Sequence, residues 1–352
     1  MDPRQAVGGP LSSDQLRAAA IASGFDLCGL SRAEPIPPEV LTEWLEAGMA
    51  AGMDWMKQSA ADRLDASRLL PGARTVLSLA CGYYVDDPET ERSPIARYAR
   101  GRDYHATMKD RLRALRRRLG ELRPGLHTYG GADALPVMEK VWAARGGLGY
   151  VGRNGCLVTE RFGSYVLLAT LVLDAEVDAY APAPAPDRCG DCGLCLSACP
   201  TSAILEGGRV DARRCLSYQT IENRSGAVPE ELRPALSDMV FGCDLCQDVC
   251  PLNRAPATAG PRFLPRAVAK LGVREIAMMT KEQYDALVPG TPLARAKLEG
   301  LRRNAAYALG AARDGSARGV LEALAGDPSG RVSEAARWAL RRLDQAGAGV
   351  AR

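Results

Sequence analysis

Two runs of cysteine constrain the fold of this chain more than any other feature. The runs are Cys189-x2-Cys192-x2-Cys195-x3-Cys199-Pro200 and Cys243-x2-Cys246-x3-Cys250-Pro251. Thiolates at this spacing bind three corners of an iron–sulfur cube, while the last cysteine of a run reaches a second cube. A zinc ribbon and a disulfide framework are the alternatives, but zinc closes one tetrahedron with two ligand pairs and needs neither the triple run nor the proline. The spacing therefore predicts two [4Fe-4S] clusters.

The number of cysteines indicates how the two clusters are held. Two cubes need eight thiolates, whereas the runs supply four and three, so Cys215 is the predicted eighth ligand. The crossover between runs assigns one cluster to Cys189, Cys192, Cys195 and Cys250. It assigns the other to Cys199, Cys215, Cys243 and Cys246. The remaining cysteines are interpreted as small buried hydrophobes, since they lie in or beside apolar segments: Cys28, Cys81 and Cys156.

The rest of the sequence indicates the cellular compartment in which the protein is expected to reside. The chain has 352 residues, 47% hydrophobic and 25% charged, which suits a globular protein of two or three domains. The first eleven residues lack the basic start and apolar run of a secretion signal. An uninterrupted apolar stretch of about 18 residues, the length of a membrane span, is also missing. Eleven cysteines without such a signal favour metal ligation in a reducing cytoplasm over disulfides.

Strand and helix signals alternate in the first half of the chain, which predicts an α/β fold. Helices are predicted at 13–24, 40–47 and 109–119, and strands at 26–30, 75–80 and within 162–174. In the third of these helices Leu112, Leu115 and Leu119 are expected to face the core.

A proline-rich stretch at 181–186 is a natural linker after this half. The predicted division is an α/β domain over 1–180, a ferredoxin-like cluster domain over 181–255 and a helical domain over 256–352.

Two loops of the first half are dense in groups that can move protons or bind ligands. One is the segment 95–105, with three arginines, two tyrosines and one of the chain's two histidines. A histidine that ligates cobalt is often marked by Asp-x-His-x-x-Gly, but Met108 stands where Asp103-x-His105 would need its glycine, so that motif is absent. The other loop holds Asp133 after two glycines and before Pro136, either as a catalytic acid or as an ordinary turn residue.

The last hundred residues carry a helical repeat with a basic bias. The pattern Leu301-x3-Ala305-x2-Ala308-Leu309 recurs as Val332-x3-Ala336-x2-Ala339-Leu340. Small residues at helix-packing positions predict a HEAT-like array, preceded by helices at 261–277 and 281–287.

Basic residues predominate in this array. Between 295 and 342 ten Lys or Arg stand against five Asp or Glu, including the pairs Arg302-Arg303 and Arg341-Arg342. Such a surface is either simply solvated or binds a phosphate backbone, and we interpret it as a nucleic-acid surface.

These pieces, in this order, resemble the epoxyqueuosine reductase family over nearly the whole chain. The motifs that carry the resemblance are Leu69-Leu-Pro-Gly-Ala-Arg-Thr-Val76, Arg100-Gly-Arg-Asp-Tyr-His105, Ala132-Asp133-x2-Pro136, Phe162-Gly-Ser164, the eight-cysteine pattern and Leu301-Arg-Arg-Asn304. The resemblance implies that the first half is a cobalamin-binding catalytic domain with a nitroreductase-like fold. The cobalamin would be bound without its usual lower base, in agreement with the missing histidine motif.

The resemblance also implies roles for individual residues. Asp133 matches the family's proton donor. Contacts with the corrin ring, partly through backbone, are implied for Arg63, Ala96, Leu157, Leu168 and Leu171. The cluster domain would meet the cofactor at Ser217, Cys243 and Asp244. Some relatives carry cysteine where this chain has Ala96, so a thiol cannot act at that position here.

The implied reaction reduces the epoxide of epoxyqueuosine at the wobble position of tRNA to give queuosine. Electrons from an external low-potential donor would pass through both clusters to cobalamin, and Asp133, its pKa raised by burial, would protonate the departing oxygen. The basic helices would bind the anticodon arm. We expect a cytoplasmic monomer without membrane contact. A reductive dehalogenase-like enzyme and a non-enzymatic electron carrier are the alternatives.

Overall fold

A four-stranded antiparallel sheet organises the first half of the chain. The structure, a computed structural model, describes residues 9–133, 135–224 and 226–350. The strands of the sheet are β1 (Leu27–Arg32), β2 (Thr75–Gly82), β3 (Thr128–Gly131) and β6 (Val166–Leu173), and a separate hairpin contains β4 (Tyr150–Val151) and β5 (Leu157–Val158). The strand order is β1-β2-β6-β3. The three predicted strands are confirmed, and the two most apolar, β2 and β6, occupy the centre.

Every strand pair in this sheet is antiparallel. The alternation of helix and strand signals had suggested an α/β fold, which most often has a parallel sheet. The antiparallel pairing refines that class, because the helices here lie on an antiparallel sheet instead of crossing over between parallel strands.

Helices cover both faces of the sheet. They are α1 (Ser13–Ala22), α2 (Glu39–Glu46), α3 (Asp54–Gln58), α4 (Ala60–Leu64), α5 (Ala66–Leu69), α6 (Tyr104–Leu122) and α7 (Glu139–Arg145). Helix α6 buries Leu112, Leu115 and Leu119 in the core on one face, as predicted. It begins at Tyr104 instead of Lys109, because the Asp103 carboxylate accepts the His105 N–H and caps the first turn. Helix α7 contributes Trp142 to a smaller core on the other face.

The cysteine-rich region consists of short helices joined by loops. The helices are α8 (Leu194–Ala198), α9 (Leu216–Ile221) and α10 (Leu245–Asp248). Helices α8 and α10, one from each cysteine run, lie against each other. The two runs are therefore neighbours in space.

The C-terminal part is helical, with α11 (Val273–Ala277), α12 (Lys281–Leu287), α13 (Lys297–Ala311), α14 (Arg318–Ala325) and α15 (Gly330–Val350). The predicted helix at 281–287 is confirmed. A continuous helix over 261–277 is wrong, since two short 3-10 turns precede α11. Pro265 lies between those turns, and Gly272 adopts an extended conformation at the start of α11, so the helix cannot propagate through either residue.

The repeated small residues lie where the first repeat helix, α13, packs on the second, α15. A β-carbon added to Gly310 would lie 2.5 Å from Cβ of Ala339, so only glycine permits this separation. Leu301, Ala305 and Ala336 are buried in the same core. The repeat thus marks a helix pair, and its assignment to the HEAT class stays a prediction.

One hydrophobic core crosses the predicted boundary at 255. It joins Leu216 and Phe241 of the cysteine-rich region to Leu301 and Leu343 of the C-terminal helices, and it includes Ile95 from the first half. The division of the chain at 180 and 255 stays a prediction. Among the described helices, none combines the length and the apolarity needed to cross a bilayer.

Candidate active site and cluster sites

Asp133 lies in the loop that follows β3. Its φ angle is +62°, a left-handed conformation that costs a residue with a side chain about 1–2 kcal/mol. A hydrogen bond helps to maintain the loop: the Asp133 N–H donates to Oε1 of Glu139, the first residue of α7, at 2.9 Å. The Asp133 side chain is 55% exposed, so its carboxylate is open to a reactant.

The Asp133 carboxylate contacts the start of α6. Its Oδ2 accepts a hydrogen bond from the Tyr104 hydroxyl at 2.7 Å and lies 3.2 Å from Nε2 of His105. The other ring nitrogen of His105, Nδ1, lies 2.8 Å from Oδ1 of Asp103. The two aromatic rings stack with their centroids 4.2 Å apart. His105 is therefore held between two carboxylates, one of which is the predicted catalytic acid.

These contacts lower the pKa of Asp133 below its usual range. The hydrogen bond from His105 is the main cause; the Tyr104 hydroxyl and the charge of Arg295 act in the same direction, and together they outweigh burial. The expected rise in this pKa is wrong, because hydrogen-bond donors favour the charged carboxylate. The pKa of His105 is raised to about 9, first by Asp103 and then by Asp133.

Glu139 and Arg63 complete the surroundings of Asp133. Burial raises the pKa of Glu139 to about 8, although the Asp133 N–H and the charges of Lys140 and Arg63 oppose this rise. Arg63 lies close enough to Glu139 and Asp133 for both charges to act on it. The structure therefore brings one predicted corrin contact, Arg63, to the predicted acid.

The other predicted corrin contacts differ in accessibility. Leu168, near the start of β6, is partly exposed, whereas Leu157 and Ala96 are buried and could contact a ligand only at their edges or through backbone. Leu171 is fully buried in the sheet core and pairs with Leu77 and Gly130 on its two sides. Leu171 therefore presents no side-chain surface here, and its contact with the corrin stays a prediction.

The first predicted cluster site is a small cavity. Its volume is about 80 Å³, and its lining includes four cysteines, Cys189, Cys192, Cys195 and Cys250. These are the four that the crossover rule places on one cluster. Among the described residues, no three His, Cys, Asp or Glu side chains converge on one point as ligands of a single ion do. A cube does not need such convergence, because each thiolate binds a different iron at its own corner.

Three thiols of the second predicted set lie deep: Cys215, Cys243 and Cys246. Burial, followed by the charges of Cys215, Asp244 and Cys199, raises the pKa of the Cys243 thiol to about 12. The pKa of the Cys246 thiol is likewise raised, first by burial and then by the nearby Cys156, Cys243 and Cys215. The donor set thus suits a second cube. Cys156 lies beside it and is only half buried, a position that its apolar sequence context did not predict.

Of the other two cysteines, Cys81 is buried as expected, and Cys28 is half buried. Cys81 is more than a small hydrophobe, since its Sγ accepts a hydrogen bond from Nη1 of Arg111 at 2.6 Å.

The loop that carries Cys243 contacts the first half of the chain closely. Asp244 Oδ2 accepts the backbone N–H of Arg97 at 2.7 Å. Gly242 has a φ of +76°, and a β-carbon there would lie 2.5 Å from Cβ of Ala96. Ala96, Cys243 and Asp244, all implied to meet the cofactor, therefore lie together.

Asn304, from the C-terminal helices, forms hydrogen bonds that stabilise the loop carrying Cys243. Its side-chain amide donates to the backbone oxygens of Thr220 and Val240, both at 2.8 Å. The Thr220 hydroxyl in turn accepts the Gly242 N–H and donates to the Leu216 carbonyl, next to the half-buried Ser217.

Several arginines predicted to bind nucleic acid are already engaged within the protein. Arg303 is 2% exposed, and its guanidinium donates to the backbone oxygens of Gln219, Asn223 and Gly226. Arg302 pairs with Asp327 at 2.9 Å. The prediction that this pair forms part of a cationic surface is wrong, because both side chains bind acceptors inside the fold.

Both histidines contact carboxylates. Both ring nitrogens of His105 lie within hydrogen-bond distance of carboxylates. His127 lies before β3, at the other end of that strand from Asp133, and its Nδ1 lies 2.7 Å from Asp174. Both histidines are thus engaged by carboxylates of the protein, and the absence of a histidine ligand to cobalt stays a prediction. The position of Arg63 near Asp133, and the contact of Ala96 with the loop of Cys243 and Asp244, suit residues that border one ligand.

Two family models match the chain. One, described as a 4Fe-4S double cluster binding domain, matches residues 188–253, and one described as Epoxyqueuosine reductase QueG, DUF1730, matches residues 63–133. The epoxyqueuosine reductase of Gloeobacter violaceus is 38% identical over 315 residues, covering 86% of this chain and 98% of that protein. The epoxyqueuosine reductase of Pseudomonas aeruginosa is 40% identical over 334 residues, covering 91% of each.

Solved structures agree with these matches. A crystal structure of epoxyqueuosine reductase with an epoxyqueuosine-modified tyrosine tRNA stem loop superposes with a TM-score of 0.85 at 27% identity, covering 94% of this chain and 89% of that one. The Bacillus subtilis epoxyqueuosine reductase, with its catalytic aspartate loop swung out of the active site, gives 0.84 at 26% identity, covering 94% and 90%.

Proposed function

The chain belongs to the epoxyqueuosine reductase family, and on that premise we propose that it reduces the epoxide of epoxyqueuosine in tRNA to the alkene of queuosine. The observation that carries the proposal is the position of Asp133, an exposed acid held by Tyr104, His105 and Glu139. The extent of the similarity to reductases of this family favours this activity over a dehalogenase or a free electron carrier.

The residues of the chain would divide the work as follows. Cys189, Cys192, Cys195 and Cys250 would hold one cluster, and Cys199, Cys215, Cys243 and Cys246 the other. The residues that would border the cobalamin are Arg63, Ala96, Asp133, Leu157, Leu168, Leu171, Ser217, Cys243 and Asp244. When bound, the clusters would supply single-electron transfer and cobalamin would supply a low-potential reductant for the epoxide. The proposed cluster sites are supported by the cavity that groups four of the cysteines and by the double-cluster family match.

Asp133 would supply the proton that the epoxide oxygen takes up as its carbon–oxygen bond breaks. Protonation of a leaving oxygen by a positioned acid contributes roughly 10²- to 10⁴-fold in rate. The left-handed backbone and the hydrogen bond to Glu139 support this role, because they hold the carboxylate at the open side of the loop. Conversion of the epoxide to the alkene consumes two electrons and two protons and releases the oxygen as water.

The substrate would be the anticodon arm of a tRNA. The structure solved with a tRNA stem loop matches this chain over 94% of its length, which supports the proposal. Arg295, whose charge acts on Asp133, belongs to the C-terminal helical part. That part would then bind RNA next to the site of the chemistry. An external low-potential donor, a monomeric state and a cytoplasmic location stay predictions.

The proposal is tested by anaerobic reconstitution with iron, sulfide and cobalamin, followed by incubation with a strong one-electron reductant and epoxyqueuosine-containing tRNA. Digestion and nucleoside analysis should show epoxyqueuosine replaced by queuosine. Persistence of epoxyqueuosine, while the Pseudomonas aeruginosa relative converts the same tRNA in the same mixture, would overturn the proposal.

A further inference from the structure

His105 is the only side chain that connects Asp133 to a second carboxylate in the described part of the chain. Its Nε2 lies 3.2 Å from Asp133, and its Nδ1 lies 2.8 Å from Asp103. The three side chains are 55%, 37% and 35% exposed, from Asp133 through His105 to Asp103. The row therefore runs from the open face of the catalytic loop to the N-terminal cap of α6.

The hydrogen bonds of Asp133 mean that this carboxylate needs a neighbouring proton donor. The Tyr104 hydroxyl and the His105 imidazole both contact the same oxygen of Asp133, Oδ2. This oxygen accepts the hydrogen bond of the tyrosine. These donors favour the ionised carboxylate, which carries no proton to give. The proposed reaction nevertheless consumes two protons in each turnover, so Asp133 must receive protons from a neighbour.

We propose that His105 is the proton reservoir of the active site and that Asp103 holds it in the charged form. The inference rests on the proposed function. The Nε2–H bond of His105 breaks as an O–H bond forms on the ionised Asp133, and Asp133 then gives this proton to the epoxide oxygen. His105 is left neutral, still donating from Nδ1 to Asp103, and regains its proton from solvent. Two such transfers supply the two protons, and the external donor supplies the two electrons.

The charged groups around His105 favour this assignment. Asp103 and Tyr104 lie beside it on α6, and the loop after β3 contributes Asp133 and, through the Asp133 N–H, Glu139. Arg295, from the C-terminal part, acts on Asp133. Two carboxylates in direct contact with the ring stabilise the imidazolium, and the pKa of His105 is accordingly raised to about 9. The ring is stacked on Tyr104 and thus fixed in orientation.

The chain has only two histidines, which makes a direct measurement simple. Protein labelled with ¹⁵N-histidine, with oxidised clusters and Co(III) cobalamin, should show two imidazoles by NMR. His127→Gln removes one and so assigns both. We expect His105 to titrate near pH 9 and to move toward the ordinary value of about 6.5 in Asp103→Asn. Titration of His105 near 6.5 in the unaltered protein would overturn the proposal, whether or not the protein reduces tRNA.

Single-turnover reduction of tRNA provides the second measurement. The rate should be constant up to about pH 9 and then fall, with the fall moved to lower pH in Asp103→Asn. His105→Gln should lose about 10²- to 10³-fold at neutral pH, with unchanged tRNA affinity and partial rescue by imidazole. His127→Gln, which alters a histidine also paired with an aspartate, should be unaffected. An unaltered pH profile in both Asp103→Asn and His105→Gln would contradict the assignment. Failure of the unaltered protein to reduce tRNA would instead count against the proposed function.

Discussion

Asp244, between two of the predicted cluster ligands, accepts the backbone N–H of Arg97 at 2.7 Å. Arg97 begins the short 3-10 turn that leads into the Asp103 cap and His105. One hydrogen bond thus connects a predicted cluster loop to the segment that contacts Asp133, the predicted catalytic acid. A movement of the Asp244 loop would displace the Arg97 segment, and the reverse, because the Arg97 N–H donates to Asp244.

Asp244→Ala should destabilise the protein by about 1–3 kcal/mol, since the Arg97 N–H then loses its partner in a partly buried position. Urea titrations that follow the loss of cluster absorbance and far-UV circular dichroism would measure the change. Asp248→Asn is the matched control: it removes the charge paired with the Arg97 side chain at 43% exposure but keeps an oxygen that can accept the Tyr165 hydroxyl, so the cost should stay within about 1 kcal/mol. Equal effects of the two substitutions would contradict the distinction.

Cys215→Ser should remove one cluster and leave the other. Iron per chain should fall from about eight toward about four after anaerobic reconstitution, because one cube loses a thiolate. Cys156→Ser is the control, since Cys156 lies beside the same thiols but is not a proposed ligand. Its iron content should equal that of the unaltered protein. A loss of iron in Cys156→Ser and not in Cys215→Ser would show that Cys156, and not Cys215, is the cluster ligand.

Asp133→Asn should slow single-turnover reduction by about 10²- to 10⁴-fold, the contribution of a positioned acid. The amide has nearly the size of the carboxylate, so cluster content, cobalamin absorbance and tRNA affinity should all stay normal. Rapid-quench kinetics with nucleoside analysis would measure the rate. Activity close to that of the unaltered protein would remove Asp133 from the mechanism.

The sequence predicted those parts of the fold whose signal is local. The apolar run at 75–80 became the central strand β2, and Leu112, Leu115 and Leu119 lie in the core. The sequence also predicted that the cysteines cluster, because the spacing of metal ligands is a local property. The broken helix over 261–277 was missed, since periodic apolar residues there compete with prolines that cannot donate an N–H.

The site was predicted less completely, because its chemistry depends on contacts between distant segments. His105 lies in the first turn of α6 and Asp133 in the loop after β3, and only the packing of α6 beside β3 brings them together. The sign of the pKa shift of Asp133 follows from those donors. Arginines in a helical pattern were read as exposed, yet Arg303 is buried because the segment after α9 leaves backbone oxygens without partners in its own helix.

Asn304→Ala should therefore act on stability and not on RNA binding. The substitution removes two hydrogen bonds from a fully buried amide and one acceptor of the Arg303 guanidinium, which should cost about 2–4 kcal/mol. Urea unfolding would measure the cost, and the slope of log affinity for tRNA against log salt concentration should be unchanged, since no phosphate contact is lost. Arg341→Ala, at an exposed position, should alter stability by no more than about 0.5 kcal/mol. A shallower salt slope for Asn304→Ala with normal stability would reverse this interpretation.

Glu139→Gln should alter how the stability of the protein depends on pH. Burial raises the pKa of Glu139 to about 8 from an ordinary value of 4.5, so the folded chain keeps this proton over a range in which the unfolded chain has released it. Folding is then linked to proton uptake, and the contribution of Glu139 to stability, complete below about pH 4.5, is lost progressively as the pH rises to about 8. Glutamine has no proton to lose but keeps the oxygen that accepts the Asp133 N–H. The free energy of unfolding should therefore decline less between pH 5 and 8 in Glu139→Gln than in the unaltered protein, and the difference between the two curves removes the titrations that both share, including that of His105. Parallel curves over this range would show that Glu139 is ionised in the folded protein, and its bond to Asp133 would then be between a backbone donor and a charged acceptor.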